Sequence, residues 1–247
     1  MFSEEIYESI IYENGCVRAI YEDNHMIAVV KPQGILSQGD KSSDDNLLDK
    51  IKEDIAVRKN KPGEAFAGLV HRLDRNTGGT MVFAKTSKGA ARLSEELRAK
   101  RFKKTYFVLA EGNFEIAPEG EYYRDKLEKN ENTNVVKPAK DGKECVLFVK
   151  KITSGERYTL CLAQPITGRT HQIRVQFSLR GHPLAGDLKY GAKINEGNFL
   201  GLWSGEVSVK HPTKDIIMKF RSIPERSGKW TVFDEKTYSE ALAKGIL

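Results

Sequence analysis

Short apolar runs rich in Val, Ile, Tyr and Phe recur along this chain and constrain its fold more than any other feature of the sequence. Turn residues bound each run, a pattern typical of β-strands. Only three segments have helical spacing, so strands and helices do not alternate as regular βαβ units. The sequence therefore predicts an α+β fold, a single domain over residues 1–247, built on a mixed, mostly antiparallel sheet flanked by helices. The expected strands are Arg18–Tyr21, Met26–Val30, Thr80–Ala84, Tyr106–Ala110, Cys145–Val149, Tyr158–Ala163, Val207–Lys210 and Ile216–Phe220.

The three helical segments carry recognisable signals at their ends. We expect Asp44 or Asp45 to cap the first helix and Ser87 to cap the second, because these side chains accept hydrogen bonds from exposed backbone N–H groups. The third helix is expected to end at Gly181, a usual helix stop. Irregular stretches between the apolar segments are predicted to be surface loops. The expected helices are Asp44–Arg58, Ser87–Arg101 and His171–Arg180, and the expected loops are Ser37–Ser43 and Lys126–Lys143.

The composition excludes several classes of protein. Hydrophobic residues make up 39% and charged residues 30% of the 247 residues, a balance typical of a globular rather than a disordered chain. No apolar run approaches the ~20 residues of a membrane span, and the first ten residues are too acidic for a signal peptide. Three cysteines without a C-x-x-C pair indicate neither a disulfide framework nor a zinc site. We therefore expect a cytoplasmic monomer that does not associate with membranes.

Positive charge is concentrated in one segment. The chain has a net charge of +6, and the segment Lys85–Lys104 alone holds eight cations against two acids. A second segment, Thr167–Arg180, holds three arginines and a histidine without any acid. Such clusters suit a phosphate backbone, which binds cations largely through counterion release. The alternative interpretation is a solvated helix face. The cations of the first segment are Lys85, Lys88, Arg92, Arg98, Lys100, Arg101, Lys103 and Lys104.

One acidic residue stands out as a candidate for chemistry. Asp74 lies between two arginines in the segment H-R-L-D-R-N-T-G-G at 71–79, where the chain enters a glycine-rich turn followed by an apolar strand. Neighbouring guanidinium groups favour the ionised carboxylate, which would keep Asp74 available as a nucleophile or base. The alternative is an Asx-turn that only organises the loop.

Two further segments are candidates for binding. In Pro165–Arg174 a strand ends, turns through Gly168 and begins a helix whose free N–H groups could hold an anion. Arg169 and Arg174 are five residues apart, so they do not share one helix face, and a pair of surface arginines is the alternative. Tyr106 lies where the second helix leads into a strand. Its ring could stack on a base, worth ~1–3 kcal/mol in nucleic-acid sites, or simply pack within the sheet.

The usual signatures of cofactor and metal enzymes are absent from the sequence. There is no G-x-x-x-x-G-K-[ST], G-x-G-x-x-G, H-E-x-x-H or G-x-S-x-G motif. The five histidines are scattered without the spacing of metal ligands. We therefore expect a protein that uses neither a cofactor nor a metal.

Four segments in this order resemble the RluA-type RNA pseudouridine synthases. They read M-I-A-V-V-K-P-Q-G at 26–34, H-R-L-D-R-N-T-G-G-T-M-V-F-A-K-T at 71–86, K-K-T-Y-F-V-L-A-E-G at 103–112 and L-A-Q-P-I-T-G-R-T-H-Q-I-R-V-Q-F-S-L-R-G-H-P-L-A-G-D-L-K-Y-G at 162–191. A turn at His211-Pro212 is similar to one between the family's closing strands. The resemblance extends from Arg18 to Pro224, which is nearly the whole chain.

The resemblance implies an isomerase that converts uridines of ribosomal or transfer RNA to pseudouridine without a cofactor or metal. By motif, Asp74 corresponds to the family's catalytic aspartate and Tyr106 to the tyrosine that stacks on the target base. Arg174 corresponds to the arginine that pairs with the catalytic carboxylate. Ile173 corresponds to an aliphatic residue beside the site, and Arg72 to an arginine that enters the RNA stack where the uridine leaves.

The resemblance also assigns substrate contacts and one departure. Arg169, His71 and Lys104, which belong to the same motifs, are expected to bind substrate. The family usually reads T-S-G where this chain has Thr77-Gly78-Gly79, so one hydroxyl beside the catalytic loop is missing.

A compact form is expected, without the family's small N-terminal RNA-binding domain, because only about 17 residues precede the first predicted strand. RNA must then be held by the basic surface of the catalytic domain itself. We expect Lys100, Arg101 and Lys103 to form that surface.

Two other functions remain open at this point. A non-catalytic RNA-binding relative that acts in ribosome assembly would keep the fold and the basic surface. Intact Asp74, Tyr106 and Arg174 argue against it. A phosphodiesterase that uses Asp and His with a metal would need clustered ligands, which the sequence lacks.

Overall fold

A computed structural model describes residues 3–40, 44–60, 62–193 and 199–246. The chain divides into two units, Met1–Lys104 with Ser204–Ser222 (unit 1) and Thr105–Trp203 with Ile223–Leu247 (unit 2). The strands are β1 (Ser3–Tyr7), β2 (Tyr12–Asn14), β3 (Val17–Glu22), β4 (Met26–Lys31), β5 (Gly68–Leu69), β6 (Gly78–Ala84), β7 (Lys103–Glu111), β8 (Glu121–Asn130), β9 (Val135–Pro138), β10 (Lys143–Ser154), β11 (Tyr158–Pro165), β12 (Leu202–Lys210) and β13 (Ile216–Arg221). The helices are α1 (Leu47–Arg58), α2 (Ser87–Arg98), α3 (Gln172–Ser178) and α4 (Glu235–Lys244), with short 3-10 turns at Leu188–Tyr190 and Gly228–Val232.

Unit 1 is built on a sheet with the strand order β2-β3-β4-β6-β12-β13-β1, and β5 lies beside β6. The pairings described for it are antiparallel except that β1 runs parallel to β13. Every residue of β4 and β6 is buried, as expected for strands that read as nearly continuous apolar runs. Helix α2 packs on this sheet through Leu93, in a core shared with Val82, Val207 and Phe220.

Gly79 allows β6 to approach β12 closely. Its φ of +110° lies in the region that favours glycine, and a Cβ at this position would lie 2.4 Å from the carbonyl oxygen of Ser204. Both the backbone conformation and the packing therefore require glycine here.

Unit 2 is built on a sheet with the strand order β7-β11-β10-β8-β9, in which the described pairings are antiparallel. Helix α3 contributes Val175 to a core with Leu127 and Cys145. The C-terminal helix α4 contributes Tyr238, whose ring meets Phe107 edge-on with centroids 5.2 Å apart. The predicted α+β class, with a mixed and mostly antiparallel sheet flanked by helices, is confirmed.

All eight predicted strands are confirmed, as are the end of the first helix at Arg58 and the start of the second at Ser87, but the predicted caps, the other helix ends and one loop were wrong. Asn46 and Thr86 cap α1 and α2, because their side-chain oxygens accept the N–H groups of Asp49 and Gly89. Helix α2 ends at Arg98 rather than Arg101 and is followed by Lys100 in the left-handed conformation (φ 58°). Helix α3 is shorter than predicted, since it begins after His171 and ends at Ser178.

The segment Lys126–Lys143 is a β-hairpin and not the predicted surface loop. Half of β8 and all of β9 lie in it, paired from Leu127 opposite Pro138 to Asn130 opposite Val135. Most of the exposed positions of the hairpin are charged, and the alternation of buried and exposed residues was therefore not recognised in the sequence. The other predicted loop, Ser37–Ser43, is irregular over 37–40, and positions 41–43 lie outside the described residues.

Several elements near the chain ends were not predicted from the sequence. Strands β1 and β2 precede the first predicted strand, and α4 follows the last one. Strand β1 is mostly exposed and lacks an apolar run, so its pairing with β13 has no local signal. None of the helices in the described ranges has the length and hydropathy needed to cross a bilayer.

Candidate active site

Asp74 lies in unit 1 on the loop between β5 and β6. The buried Leu73 anchors this loop: its N–H donates to Ser37 Oγ (3.0 Å), which donates in turn to the Leu73 carbonyl (2.8 Å). After Asp74, the N–H of Thr77 donates to the Asp74 carbonyl (3.0 Å) and closes a turn. The backbone is thus fixed on both sides of Asp74, while the residue itself stays partly exposed.

A buried lysine ties the same loop to the end of β4. Lys31 Nζ donates to the carbonyls of Pro32 (2.9 Å), Ile35 (2.7 Å) and Arg75 (2.9 Å). Burial lowers the pKa of Lys31 to about 7, although the charge of Asp74 raises it. The amine therefore fixes the residue directly after Asp74 and lies close enough to interact with the Asp74 charge.

His71, at the start of the loop, packs inside unit 1. Its Nε2 accepts the N–H of Val82 (3.1 Å), and its ring lies against Phe102 with centroids 4.9 Å apart. Burial, and then the nearby charge of Lys104, lower the pKa of His71 well below its usual value. The imidazole is therefore neutral with its proton on Nδ1, which has no hydrogen-bond partner in the described chain. The predicted substrate contact of His71 stays a prediction.

The two arginines beside Asp74 have different surroundings. Both are exposed, and Arg75 forms an ion pair with Asp44. The replacement of the family's serine by Gly78 falls at the start of β6, next to Thr77. Thr77 Oγ1 is buried and has no hydrogen-bond partner among the described residues.

Tyr106 lies in unit 2 on the sheet face that α3 covers. It pairs with Ala163 of β11, which pairs with Val149 of β10. Val149 shares its face with Cys145, four residues away along the strand, and Cys145 packs against Val175 of α3. The tyrosine is 6% exposed. Tyr106 therefore lies on the same side of the unit 2 sheet as α3, the helix that carries two other predicted site residues.

Arg174 is held by a buried carboxylate on the same unit. Its Nε and Nη2 donate to Asp187 Oδ2 and Oδ1, both at 2.7 Å. The Asp187 side chain is 1% exposed and that of Arg174 is 12% exposed. The guanidinium also lies over the ring of Tyr190, 5.0 Å from its centroid. The hydroxyl of Tyr190 accepts the N–H of Val136 (3.0 Å) and lies 2.6 Å from His171 Nδ1.

The turn before α3 satisfies its own polar groups. Gln172 Oε1 accepts the N–H of Arg169 (3.1 Å) and the hydroxyl of Thr167 (2.8 Å). The N–H of Gln172, among the helix N–H groups suggested from the sequence as anion ligands, also has a partner, since it donates to the carbonyl of Arg169 (3.2 Å). The Arg169 side chain is exposed, and Ile173 on α3 is 6% exposed.

The predicted residues divide between the two units. Unit 1 carries His71, Arg72 and Asp74 on one loop and Lys100, Arg101, Lys103 and Lys104 after α2, while unit 2 carries Tyr106, Arg169, Ile173 and Arg174. Sequence reasoning missed the supporting residues Lys31, Asp187 and Tyr190. All three lie in the segments K-P-Q-G and G-D-L-K-Y-G that carry the resemblance, which was the available signal.

No group of three or more His, Cys, Asp or Glu side chains within residues 3–40, 44–60, 62–193 and 199–246 is arranged to hold a metal ion. Chemistry without a metal or cofactor stays a prediction from the sequence.

Comparison with protein families gives a match over more than half of the chain. The model described as RNA pseudouridylate synthase matches residues 25–179. The chain belongs to the RNA pseudouridylate synthase family.

Relatives in this pseudouridylate synthase family include two bacterial proteins. The ribosomal large subunit pseudouridine synthase C of Vibrio parahaemolyticus is 33% identical over 210 residues, 82% of this chain and 64% of that protein. A Bacillus subtilis protein named uncharacterized RNA pseudouridine synthase YhcT is 35% identical over 219 residues, 85% of this chain and 69% of that protein. The chain thus spans less than two thirds of the length of the Vibrio relative.

Solved structures of the family share the fold. Human RNA Pseudouridylate Synthase Domain Containing 4 superposes with a TM-score of 0.66 at 20% identity and covers 84% of this chain and 88% of its own. Human RNA Pseudouridylate Synthase Domain Containing 1 gives a TM-score of 0.65 at 20% identity, with 87% of each chain covered.

The hydrogen bonds of Lys31 predict a specific dependence of stability on pH. The substitution Lys31→Met leaves three carbonyls without their donor and should lower the free energy of unfolding by at least about 2 kcal/mol at pH 7. The folded-state pKa of about 7 lies below the ordinary 10.5, so the unfolded wild-type chain binds more protons between these values. Wild-type stability relative to Lys31→Met should therefore rise with pH in this window, by at most about 1.4 kcal/mol per pH unit, and be flat below it.

Urea denaturation at a series of pH values measures this difference. The control is Lys244→Met, at a side chain that is 78% exposed on α4, where the difference from wild type should not change with pH. A difference for Lys31→Met that stays constant from pH 6 to pH 10, about the range that spans the two pKa values, contradicts the account.

Proposed function

We propose that this chain converts uridine in RNA to pseudouridine with the carboxylate of Asp74 as the reacting group. The observation that carries the proposal is an intact aspartate at the family's catalytic position, on a loop whose backbone is fixed by Lys31 and Ser37. The family model matches residues 25–179 and so includes segments of both units. This supports residues 1–247 acting as one catalytic domain.

The reaction explains which kinds of groups are needed. The bond from the ribose C1′ to N1 of uracil breaks, the detached ring turns over, and C1′ forms a bond to C5. C5 then releases its proton, and N1 takes up one. Atoms are conserved and no electrons are gained or lost overall. Asp74 either attacks the sugar or removes a neighbouring sugar proton, and both roles require an ionised, oriented carboxylate. A guanidinium is better suited than an amine to keep this carboxylate ionised, because arginine keeps its charge when buried.

The remaining site residues are proposed to extract and hold the base. Removing uridine from its stack costs a few kcal/mol, which an inserted side chain and a stacking partner offset. We assign the insertion to Arg72, whose exposed position after His71 supports this role, and the stacking to Tyr106. Arg174 is proposed to keep Asp74 ionised, with Ile173 closing the apolar side. Arg169 and Lys104 are proposed to contact the RNA near the target base.

Ribosomal RNA is the proposed substrate class, and transfer RNA is the second choice. Relatives at 32–33% identity that carry the name ribosomal large subunit pseudouridine synthase C support this order. We propose that the protein acts on this RNA as a cytoplasmic monomer, as expected from the sequence.

The substitution Asp74→Asn should abolish pseudouridine formation, by at least about 10³-fold, because an amide is neither a nucleophile nor a base here. RNA affinity and melting temperature should stay near those of the wild type. Release of tritium from RNA labelled at C5 of uridine measures turnover directly. Retained turnover in this variant refutes the assignment of Asp74. A wild-type protein that binds ribosomal and transfer RNA but releases no tritium from either supports the non-catalytic alternative.

The basic segment after Lys85 is the proposed RNA-binding surface, and several of its charges already have partners in unit 1. Lys85 pairs with Glu22, and Arg92 donates to the carbonyl of Pro212. Arg101 makes three hydrogen bonds to the Glu96 carboxylate, at 2.7–3.2 Å. The exposed cations without a side-chain partner in the described chain are Lys88, Arg98, Lys100 and Lys103. We therefore propose Lys100 and Lys103 as direct phosphate contacts, with Arg101 held beside them by Glu96.

Salt dependence of RNA binding tests this surface. The double variant Lys100→Gln, Lys103→Gln should bind RNA more weakly, and the slope of log K against log salt should fall by about 0.7–0.9 per lost contact. The matched control is Lys236→Gln, Lys244→Gln, which removes the same charge from two exposed lysines of α4 outside the proposed surface and should leave the slope nearly unchanged. An unchanged slope in the first variant, or an equal loss in both, would falsify this assignment.

A further inference from the structure

We propose that Asp187 is a positioning residue for the isomerisation, because it fixes the guanidinium of Arg174 in the orientation in which that group acts. The inference rests on the proposed function of the chain and adds a carboxylate to the site that acts through another residue.

The contact between these side chains has the geometry of a strong, directional pair. Two nitrogens of Arg174 donate to the two oxygens of Asp187, each at 2.7 Å. Such a two-point contact fixes both the position and the plane of the guanidinium, which a single hydrogen bond does not. The carboxylate is 1% exposed, so water does not compete for it, and the interaction is screened far less than a surface ion pair.

The carboxylate itself is attached to a rigid turn. The N–H of Asp187 donates to the carbonyl of Leu184 (3.0 Å), and its own carbonyl accepts the N–H groups of Tyr190 and Ala192 (both 3.0 Å). Asp187 thus presents its side chain from a backbone that is hydrogen-bonded on both sides, which is what a group that positions another requires.

Further contacts join this turn to α3. Ser178 Oγ donates to the carbonyl of Tyr190 (2.6 Å), at the end of the helix. The Tyr190 hydroxyl meets His171 at the start of the helix, and the Tyr190 ring lies under the guanidinium of Arg174. The guanidinium is therefore held at its edge by Asp187 and on its face by an aromatic ring.

This arrangement has a consequence for the reaction. A free arginine side chain has many rotamers, and ordering it during the reaction would cost conformational entropy. Asp187 and Tyr190 order Arg174 before RNA binds, so the guanidinium needs little reorganisation when charge develops nearby. A role of Asp187 limited to stability makes a different prediction. The loss of another arginine–carboxylate contact in unit 2 would then affect the reaction rate to the same extent.

The chain supplies a second arginine–carboxylate pair as a control, with side chains that are partly exposed (29% for Arg180 and 19% for Asp125). Arg180, two residues after α3, pairs with Asp125 at 3.0 Å, and its guanidinium lies over the Tyr123 ring at 3.9 Å. Both Asp187→Asn and Asp125→Asn break an arginine–carboxylate contact that is backed by a tyrosine. Only the first of these contacts involves an arginine of the proposed site.

The test is a single-turnover measurement of pseudouridine formation at saturating protein. Asp187→Asn should slow the step by about 10²-fold, the loss expected for a misoriented group, with RNA affinity within about twofold of wild type. Asp125→Asn should lower the melting temperature but keep the wild-type rate. In an Arg174→Gln background, Asp187→Asn should cause no further loss, because its action passes through Arg174.

Three results overturn the proposal: a wild-type rate in folded Asp187→Asn, the same fold-loss with and without Arg174, or an equal loss in Asp125→Asn. If Asp187→Asn does not fold, NMR of the wild-type protein tests the proposal instead. Its Arg174 side-chain signals, assigned by their absence in Arg174→Lys, should show restricted rotation of the guanidinium, and free rotation contradicts the proposal. A wild-type protein that forms no pseudouridine refutes the proposed function instead, and the NMR result still tests the hold of Asp187 on Arg174.

Discussion

The hydrogen bonds of one buried amine organise the part of unit 1 on which the proposed chemistry depends. Lys31 ends β4, a strand whose other residues are apolar, and its Nζ reaches three backbone carbonyls on two separate segments. Burying an amine is costly unless each of its protons finds an acceptor. Because Lys31 needs acceptors on both segments, it couples the chain after β4 to the loop that carries Asp74. The hydrogen bonds of Lys31 therefore help to determine the position of the Asp74 carboxylate.

The sheet around Lys31 makes this coupling rigid. Lys31 lies opposite Gly79 in the pairing of β4 with β6, and Gly79 in turn lies against the backbone of Ser204 in β12. Unit 2 has a comparable arrangement with a buried group of the opposite charge. The carboxylate of Asp187 binds Arg174 and belongs to a turn that is hydrogen-bonded to α3. In each unit, a buried charged residue with fixed hydrogen bonds thus helps to position a charged group that is proposed to take part in the reaction.

The strands were predictable because burial on both faces produces apolar runs, as in β4 and β6. The β8–β9 hairpin was not, because charged residues fill the exposed positions of its strands. Helix caps were misplaced by a residue or two: Asp, Ser, Thr and Asn all cap well, and only the backbone geometry selects Asn46 and Thr86. Asp74, Tyr106 and Arg174 were identified by motif. Asp187 was overlooked because its partner is 13 residues away along the chain, and only its place in the segment G-D-L-K-Y-G could have indicated it.

Pseudouridine mapping of total RNA, from cells with and without this protein, tests the central claim most directly. The account predicts that one or a few defined uridines, in ribosomal RNA first, lose their modification when the protein is absent and regain it when the wild-type chain is restored. Identical maps in the presence and absence of the protein would contradict the assignment of this chain as a pseudouridine-forming enzyme.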